Sequence, residues 1–547
     1  MAAADTPVER TMFVRKATGL VKGWSVFDAF IYSAFAINLM ALGFGYAFTG
    51  IAVFPTGGLI AAIILSGLFI IFEVITYASL IAVMPRAGGD YVWQSRVFGG
   101  GVGFVLAATG WWFILWHWVP IYANILILEV IQPILNILGE NGTSTFHAAW
   151  WNPIHGTGIF VASLATAAIA TVVVSIGMRN YARFQKLCFY GAVLGLLIML
   201  GLFLFHSKTS FATAFNRQTD IYGSHDSNAY AKTVAAAHSA GISHTGFSAF
   251  PLRATLLLVP FMLFYNLWPN WGATLYGEVR GASDFRKNIY AMGGALVFTT
   301  VVVVATFAAM AHAMGYTFYG TLSGEYWVTV TKAPTYWFPY PGMLAAMFIH
   351  NGFLQIVLLL LLSLWFFGWA GSVFLSSTRV IFAAAFDRIL PEWAAKVDER
   401  THVPVAALML MLVPSIPISY LYAYNTNFYG YTLDATVVIA ITYFGTTLSA
   451  IVLPWRRRDI YKASPIAKYE VAGIPLVTIS GVIFGGFLVF CGYKWFSTDA
   501  YGINHRNSLE YMGVLYLIAI AIYVISRIVR RREGIDLAMI NSEIPVE

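Results

Sequence analysis

Asn266, Pro269 and Asn270 interrupt an apolar run from Phe264 to Gly277. In a helix held in hydrocarbon, proline and neighbouring amides free backbone groups that only a cavity or other protein can satisfy. Freed carbonyls can meet an ammonium or a cation, and exposed half-helix N–H groups a carboxylate. The interruption therefore reads as a binding site. Ionisable side chains inside apolar stretches are the next candidates, because each is costly in lipid. Asp28, Glu278 and Arg379 fall within a turn or two of one set of helix ends, where inner-gate or structural ion pairs would use them. Glu73 and His117 lie deeper. Glu73 suits a proton-linked role or a hydrogen-bonded buried carboxylate, and either reading fits its position.

Aromatic and hydroxyl side chains crowd two further stretches. Trp111, Trp112, Trp116 and Trp118 stand around His117, with Pro120 following. Such rings either wall a pocket for apolar and cationic groups or anchor a helix at the membrane interface. Trp365, Trp369, Gly371, Ser372, Ser376, Ser377 and Thr378 offer oxygens for an alkali cation, or for bonds between helices. No GxSxG, Walker or HExxH pattern occurs, and Cys188 and Cys491 are too few for a disulfide framework or a cysteine metal site. The glycine run Gly99 to Gly103 lacks the flanking strand of a phosphate cradle and reads as close helix packing.

These residues must be positioned by membrane helices. The chain is 59% hydrophobic and 10% charged, with mean hydropathy +0.72, against about 25% charged in soluble domains. Apolar runs of about 20 residues or more suit a hydrocarbon core of about 30 Å. Spans are expected near 24 to 49, 56 to 83, 100 to 136, 156 to 178, 182 to 206, 252 to 277, 288 to 315, 350 to 386, 404 to 424, 433 to 454, 473 to 493 and 509 to 529. The net charge of +7 is scattered between spans, which argues against nucleic acid as a partner. Of the 32 Lys and Arg residues, 25 fall in the tails and alternate loops of one side, so the positive-inside rule places both termini in the cytoplasm. Arg10, Arg15, Lys16 and Lys22 precede a first run too long for a signal peptide.

Two outer segments are long. Residues 207 to 250, with His206, His225, His238 and His244 in or beside them, read as a mobile polar loop of solvated histidines. Residues 316 to 345 carry Tyr316, Tyr319, Tyr326, Trp327, Tyr336, Trp337 and Tyr340 and read as an interfacial aromatic cap. Asn141-Gly142-Thr143 is a glycosylation acceptor on the outer side.

The loop Met84-Pro-Arg-Ala-Gly-Gly-Asp-Tyr91, continuing to Arg96 and Gly103-Phe104, resembles the motif between spans two and three of the amino acid, polyamine and organocation (APC) transporter superfamily. Glu278-Val-Arg-Gly281 resembles the segment after that family's sixth span. Ser377-Thr-Arg379, Ala383 to Pro391 and Thr401-His-Val-Pro404 resemble its span-eight signature. The resemblance implies an all-α, twelve-span fold with a five-plus-five inverted repeat (the APC, or leucine-transporter-like, fold), discontinuous spans one and six, and substrate held between them. It implies an aromatic gate at Phe264, an unwound Asn266, Leu267 and Trp268, and a carboxylate cradle near Asn38, Leu39, Met40 and Ala41. There the family's Gly-x-Gly is absent, and Gly43 and Gly45 follow slightly later. The lysine that some proton-coupled relatives carry in span five is also absent, its position falling near Ala192.

The domain reading is a tail at 1–23, a first repeat at 24–206, an outer loop at 207–251, a second repeat at 252–454, spans eleven and twelve with their preceding loop at 455–529, and a tail at 530–547. The expected function is a secondary permease of the cell membrane that moves amino acids by alternating access. Trp116, Ser372 and Tyr443 would complete the substrate site, and Glu73, Ser376 and Ser377 would serve ion coupling. Coupling could be to protons or sodium, or two solutes could exchange. The expectation includes no cofactor or metal, and its partners are a small-molecule substrate and membrane lipid. A polyamine or other organic cation is the alternative substrate. A membrane-embedded enzyme or sensor would need a catalytic constellation or a folded extramembrane domain, and the sequence shows neither.

Overall fold

The computed structural model describes residues 20, 22–139, 150–239, 251–327, 335, 337–541 and 543–544. The glycosylation triplet, His244, Tyr336, Arg10, Arg15 and Lys16 lie outside them. Twelve helices long and apolar enough to cross a membrane run through the described residues, and the chain is an all-α multi-pass membrane protein. In order they are Val26–Val53, Leu59–Val83, Gly100–Ile137, Thr157–Ser175, Met178–Phe205, Leu252–Glu278, Phe285–Met314, Gly352–Phe386, Val405–Tyr424, Leu433–Arg456, Leu476–Ser497 and Arg506–Arg532. They are called spans one to twelve below. The one sheet among the described residues is the hairpin Glu470–Val471 with Ile474–Pro475 between spans ten and eleven.

Span one starts on a capping box in which Ser25 and Asp28 satisfy each other's backbone N–H groups, and Asp28 also takes an ion pair from Lys186 at 2.8 Å. Its α-helix stops at Ile37. Asn38 turns to φ 49°, and the chain resumes as a π-helix over Leu39–Tyr46 and an α-helix over Ala47–Val53. Positive φ is costly for most side chains but tolerated by asparagine, whose amide can bond locally. Here the Asn38 side chain accepts from the Ala41 N–H at 3.1 Å.

Span six breaks more severely. Its α-helix covers Leu252–Asn266, Leu267 and Trp268 leave helical geometry, and Pro269–Glu278 continues as a 3₁₀ helix. Proline at the first position of the second half forfeits no helical bond. The two broken spans are tied at both levels: Ser33 Oγ donates to the Pro269 carbonyl at 2.7 Å, and Trp24 and Val279 pair through a parallel bridge.

The segment expected to be a mobile polar loop instead contains helices Lys208–Tyr222 and Ala229–Ser239. Ser207 and Ser210 cap the first, alanine favours the second, and Phe211 and Phe215 bury their rings against Phe318. The expected interfacial cap is likewise internal. Tyr316–Tyr326 is a helix, and Tyr319, Trp337 and Tyr340 are buried. For Tyr340 a partner explains this in part, since its hydroxyl donates to the Glu129 carbonyl at 2.8 Å.

At the opposite end two ion pairs are fully enclosed. Arg379 makes a bidentate pair with Glu278 at 2.7 and 3.0 Å, joining span eight to the end of span six. Arg96 does the same with Asp387 at 2.5 and 2.9 Å, with the Tyr91 hydroxyl donating to the same carboxylate. Removing one partner strands the other charge, a loss of about 3–5 kcal/mol, whereas replacing both by apolar groups can be neutral. Arg379→Ala should therefore lower the unfolding midpoint in detergent much more than the double change Arg379→Met with Glu278→Leu.

Candidate functional site

Between the two breaks lies a packed cluster of aromatic rings, called the chamber below. Trp118 of span three stands 5.9 Å from Phe264 in near-parallel stacking, 5.5 Å from Trp268 and 6.0 Å from Trp369, each measured between ring centroids. Trp271 closes the lower side, 4.6 Å from Trp111 and 5.3 Å from Trp268. Tyr122 packs on Trp369 and shares a 3.1 Å hydrogen bond with Ser372 Oγ. The Trp268 indole N–H donates to the Phe264 carbonyl at 2.6 Å, so a carbonyl freed by the break is held by the break's own side chain.

Hydroxyls link span eight to both broken helices. The Tyr32 hydroxyl lies 2.8 Å from Ser376 Oγ and donates to the Ser372 carbonyl at 3.0 Å, while Ser376 Oγ donates to the Trp271 carbonyl at 3.3 Å. Several polar atoms are buried with no hydrogen bond: both ends of the Asn270 amide, the Tyr443 hydroxyl, Asn38 Nδ2, Ser377 Oγ and the Trp118 indole nitrogen. The Tyr443 hydroxyl and the Asn270 amide interact electrostatically without closing a bond. Unsatisfied groups of this kind are expensive, so those beside the two helix breaks are candidates for contact with a ligand.

The residues expected from sequence divide. Asn38, Phe264, Trp268, Ser372, Ser376 and Tyr443 surround the breaks or the chamber. Leu39 and Met40 are buried at the start of the π-helix, Ala41 lines a small cavity, and Leu267 occupies the break itself. Asn266 points to span two, its Nδ2 donating to the Ile63 carbonyl at 3.3 Å. Trp116 is half-buried against Trp112 and Phe113 and makes no ring contact with the chamber. Spacing explains this: Trp111, Trp118 and Tyr122 are seven and four apart and share a helix face, which Trp116 does not. His117 faces away, stacking on Phe428 5.1 Å off and lying 3.4 Å from the Tyr511 hydroxyl.

Glu73 is enclosed in span two with no hydrogen bond to either oxygen, and Asp90 is the charged group acting on it. Sequence reading passed over Asp90 as part of a loop motif. It accepts from the Tyr77 hydroxyl at 2.7 Å and from Thr446 Oγ1 at 2.6 Å, and the Tyr77 ring lies 5.5 Å from Tyr443. The Tyr77 hydrogen bond to Asp90 and the Tyr77–Tyr443 ring contact thus connect Asp90 to the Asn270 side of the break. Within the glycine run Gly100, Gly101 and Gly103 are closely packed, a Cβ on Gly103 standing 2.5 Å from the Ser95 backbone nitrogen, whereas Gly99 faces open space. Among the described residues no cluster of three His, Cys, Asp or Glu side chains could hold a metal.

With twelve spans and the paired breaks in place, the sequence comparison decides the family. Residues 27–522 match the amino acid permease family. The chain belongs to that family. No curated protein matches it in sequence. Membership in a permease family, together with twelve spans, makes this a membrane transport protein.

Two measurements bear on this permease's chamber. Trp118→Ala should lower apparent substrate affinity at least tenfold, on the order of 2 kcal/mol for a buried aromatic anchor, while Trp116→Ala should change it less than threefold. Burial pushes the Asp90 carboxyl up to about 6 from 3.8, against the hydrogen bonds from Thr446 and Tyr77. The folded state then holds this proton more tightly than the unfolded state, so Asp90 costs stability as pH rises from about 4 to about 6. The difference in detergent melting temperature between Asp90→Asn and the native permease should shift in favour of the variant across that window.

Proposed function

We propose that this permease is a secondary transporter that carries amino acids across the cell membrane by alternating access, with the substrate held between the breaks of spans one and six. What carries the reading is the convergence of two interrupted helices, each with unsatisfied amide groups, on one aromatic chamber. Such breaks offer N–H groups to a carboxylate and carbonyls to an ammonium, the two ends that every amino acid presents. Phe264, stacked on Trp118, is the gate that must move for substrate to pass. Both termini face the cytoplasm in this reading, as the lysine and arginine distribution supports.

Two coupling routes suit the residues. Glu73 and Asp90, a pair of buried carboxyls beside the Tyr77–Tyr443 contact, fit proton exchange. Ser376 and Ser377 offer hard oxygens that fit sodium. No cofactor enters the cycle, and its partners are the substrate and the surrounding lipid.

Uptake of radiolabelled amino acids and polyamines into proteoliposomes, with proton and sodium gradients imposed separately, tests the reading. Gradient-stimulated or exchange uptake of at least one amino acid is expected, and Phe264→Ala should reduce its uptake at least tenfold. Uptake of polyamines alone would move the substrate class to organic cations. No uptake across the whole panel would sink the reading.

A further inference from the structure

Glu129 is an acidic residue inside span three that the chamber does not use. It is 7% exposed, and among the described residues no ion pair or hydrogen bond engages its carboxylate. With Ala41, Gly45, Asn124, Trp327 and Phe338 it lines a cavity of about 60 Å³. The cavity adjoins the break in span one: Ala41, whose N–H bonds Asn38 at the break, also forms part of its wall. It lies toward the end of the bundle that carries helix Lys208–Tyr222, because span one runs from Trp24 in that direction.

Two features show a built site rather than a stray carboxylate. Both helices flanking the cavity are wound as π-helix where they face it, span one over Leu39–Tyr46 and span three over Ile127–Ile131. Such turns are energetically poor and concentrate at functional sites. Gly45 lies directly beside the carboxylate, where a Cβ would stand in van der Waals contact 3.4 Å from Glu129 Oε1. The Tyr340 hydroxyl fixes the main chain of Glu129 by donating to its carbonyl at 2.8 Å.

We propose that Glu129 forms a specificity-determining subsite for the ammonium group of the substrate, on the path into the chamber. A buried carboxyl either holds its proton or is stabilised as a carboxylate by a positive partner. Trp327 and Phe338 add ring faces that attract organic ammonium, and Asn124 a side-chain amide. A bare alkali ion fits less well, because hard cations take six or more oxygens and beside the Glu129 carboxylate only Asn124 and Thr49 bring further side-chain oxygens to this cavity. The subsite rests on the transporter reading above and sharpens it: a primary or quaternary amine is the required feature of the substrate.

The test uses purified full-length protein in proteoliposomes and three probes: a zwitterionic amino acid that the native protein transports, its decarboxylated amine, and its N-acetyl derivative. Each competes for uptake of the radiolabelled amino acid. Glu129→Gln should weaken competition by the amino acid and the amine at least tenfold and leave the N-acetyl derivative unchanged. Glu129→Asp, which keeps the charge but retracts it, should lose less. If Glu129→Gln treats the amino acid and the amine as the native protein does, the subsite is wrong while the transporter reading stands. Equal loss of all three probes by both variants would also overturn it, because that is a structural effect. A native protein that takes up no amino acid at all removes the transporter reading and the subsite together.

Discussion

Hydrocarbon supplies no hydrogen bonds, and the rest of this structure follows from how two broken helices meet that constraint. Each break frees backbone groups, and each is repaired with side chains from close by. Asn38 caps Ala41, Ser33 reaches across to Pro269, and the Trp268 indole returns to Phe264. The repair is incomplete. Asn270 and the free nitrogen of Asn38 stay unsatisfied, and aromatic rings from spans three, six and eight pack between the two breaks. Without the breaks those rings would be ordinary core; with them they become a chamber.

The charges are sorted by the same logic. Where the chain needs rigidity, acid and base are paired and enclosed, as in Arg379 with Glu278 and Arg96 with Asp387. Among the described residues Glu73 and Glu129 have no cation beside them, and both lie in spans that border the broken helices. Unpaired carboxyls are too costly in a membrane protein to persist as filler. Their placement sets a functional region apart from a structural one along the length of the bundle.

Much of this was legible in the sequence. The spans were visible because length and hydropathy are all that membrane crossing requires, and the span-six break because Pro269 and two asparagines announce it. The break in span one has only Asn38 to mark it, so the family resemblance located it. Trp116 was favoured over Trp118 because a cluster of tryptophans hides which one faces inward until the helix phase is fixed, and two π turns shift that phase. Residues 207 to 250 looked unstructured because their helices are built from alanine and two buried phenylalanines rather than aliphatic runs. Glu129 went unnoticed because one acid barely dents the hydropathy of a long apolar span.

The winding of span six has a mechanical consequence. Pro269–Glu278 comprises ten residues of 3₁₀ helix, which at about 2.0 Å per residue is about 20 Å long. The same ten residues wound as α-helix would measure about 15 Å. The segment is thus a drawn spring whose relaxation would take up about 5 Å, roughly one helical turn. Its lower end is bolted through Glu278 to Arg379 of span eight, and its upper end abuts Trp268 in the chamber. That difference in length lies between the packed rings and the buried ion pair.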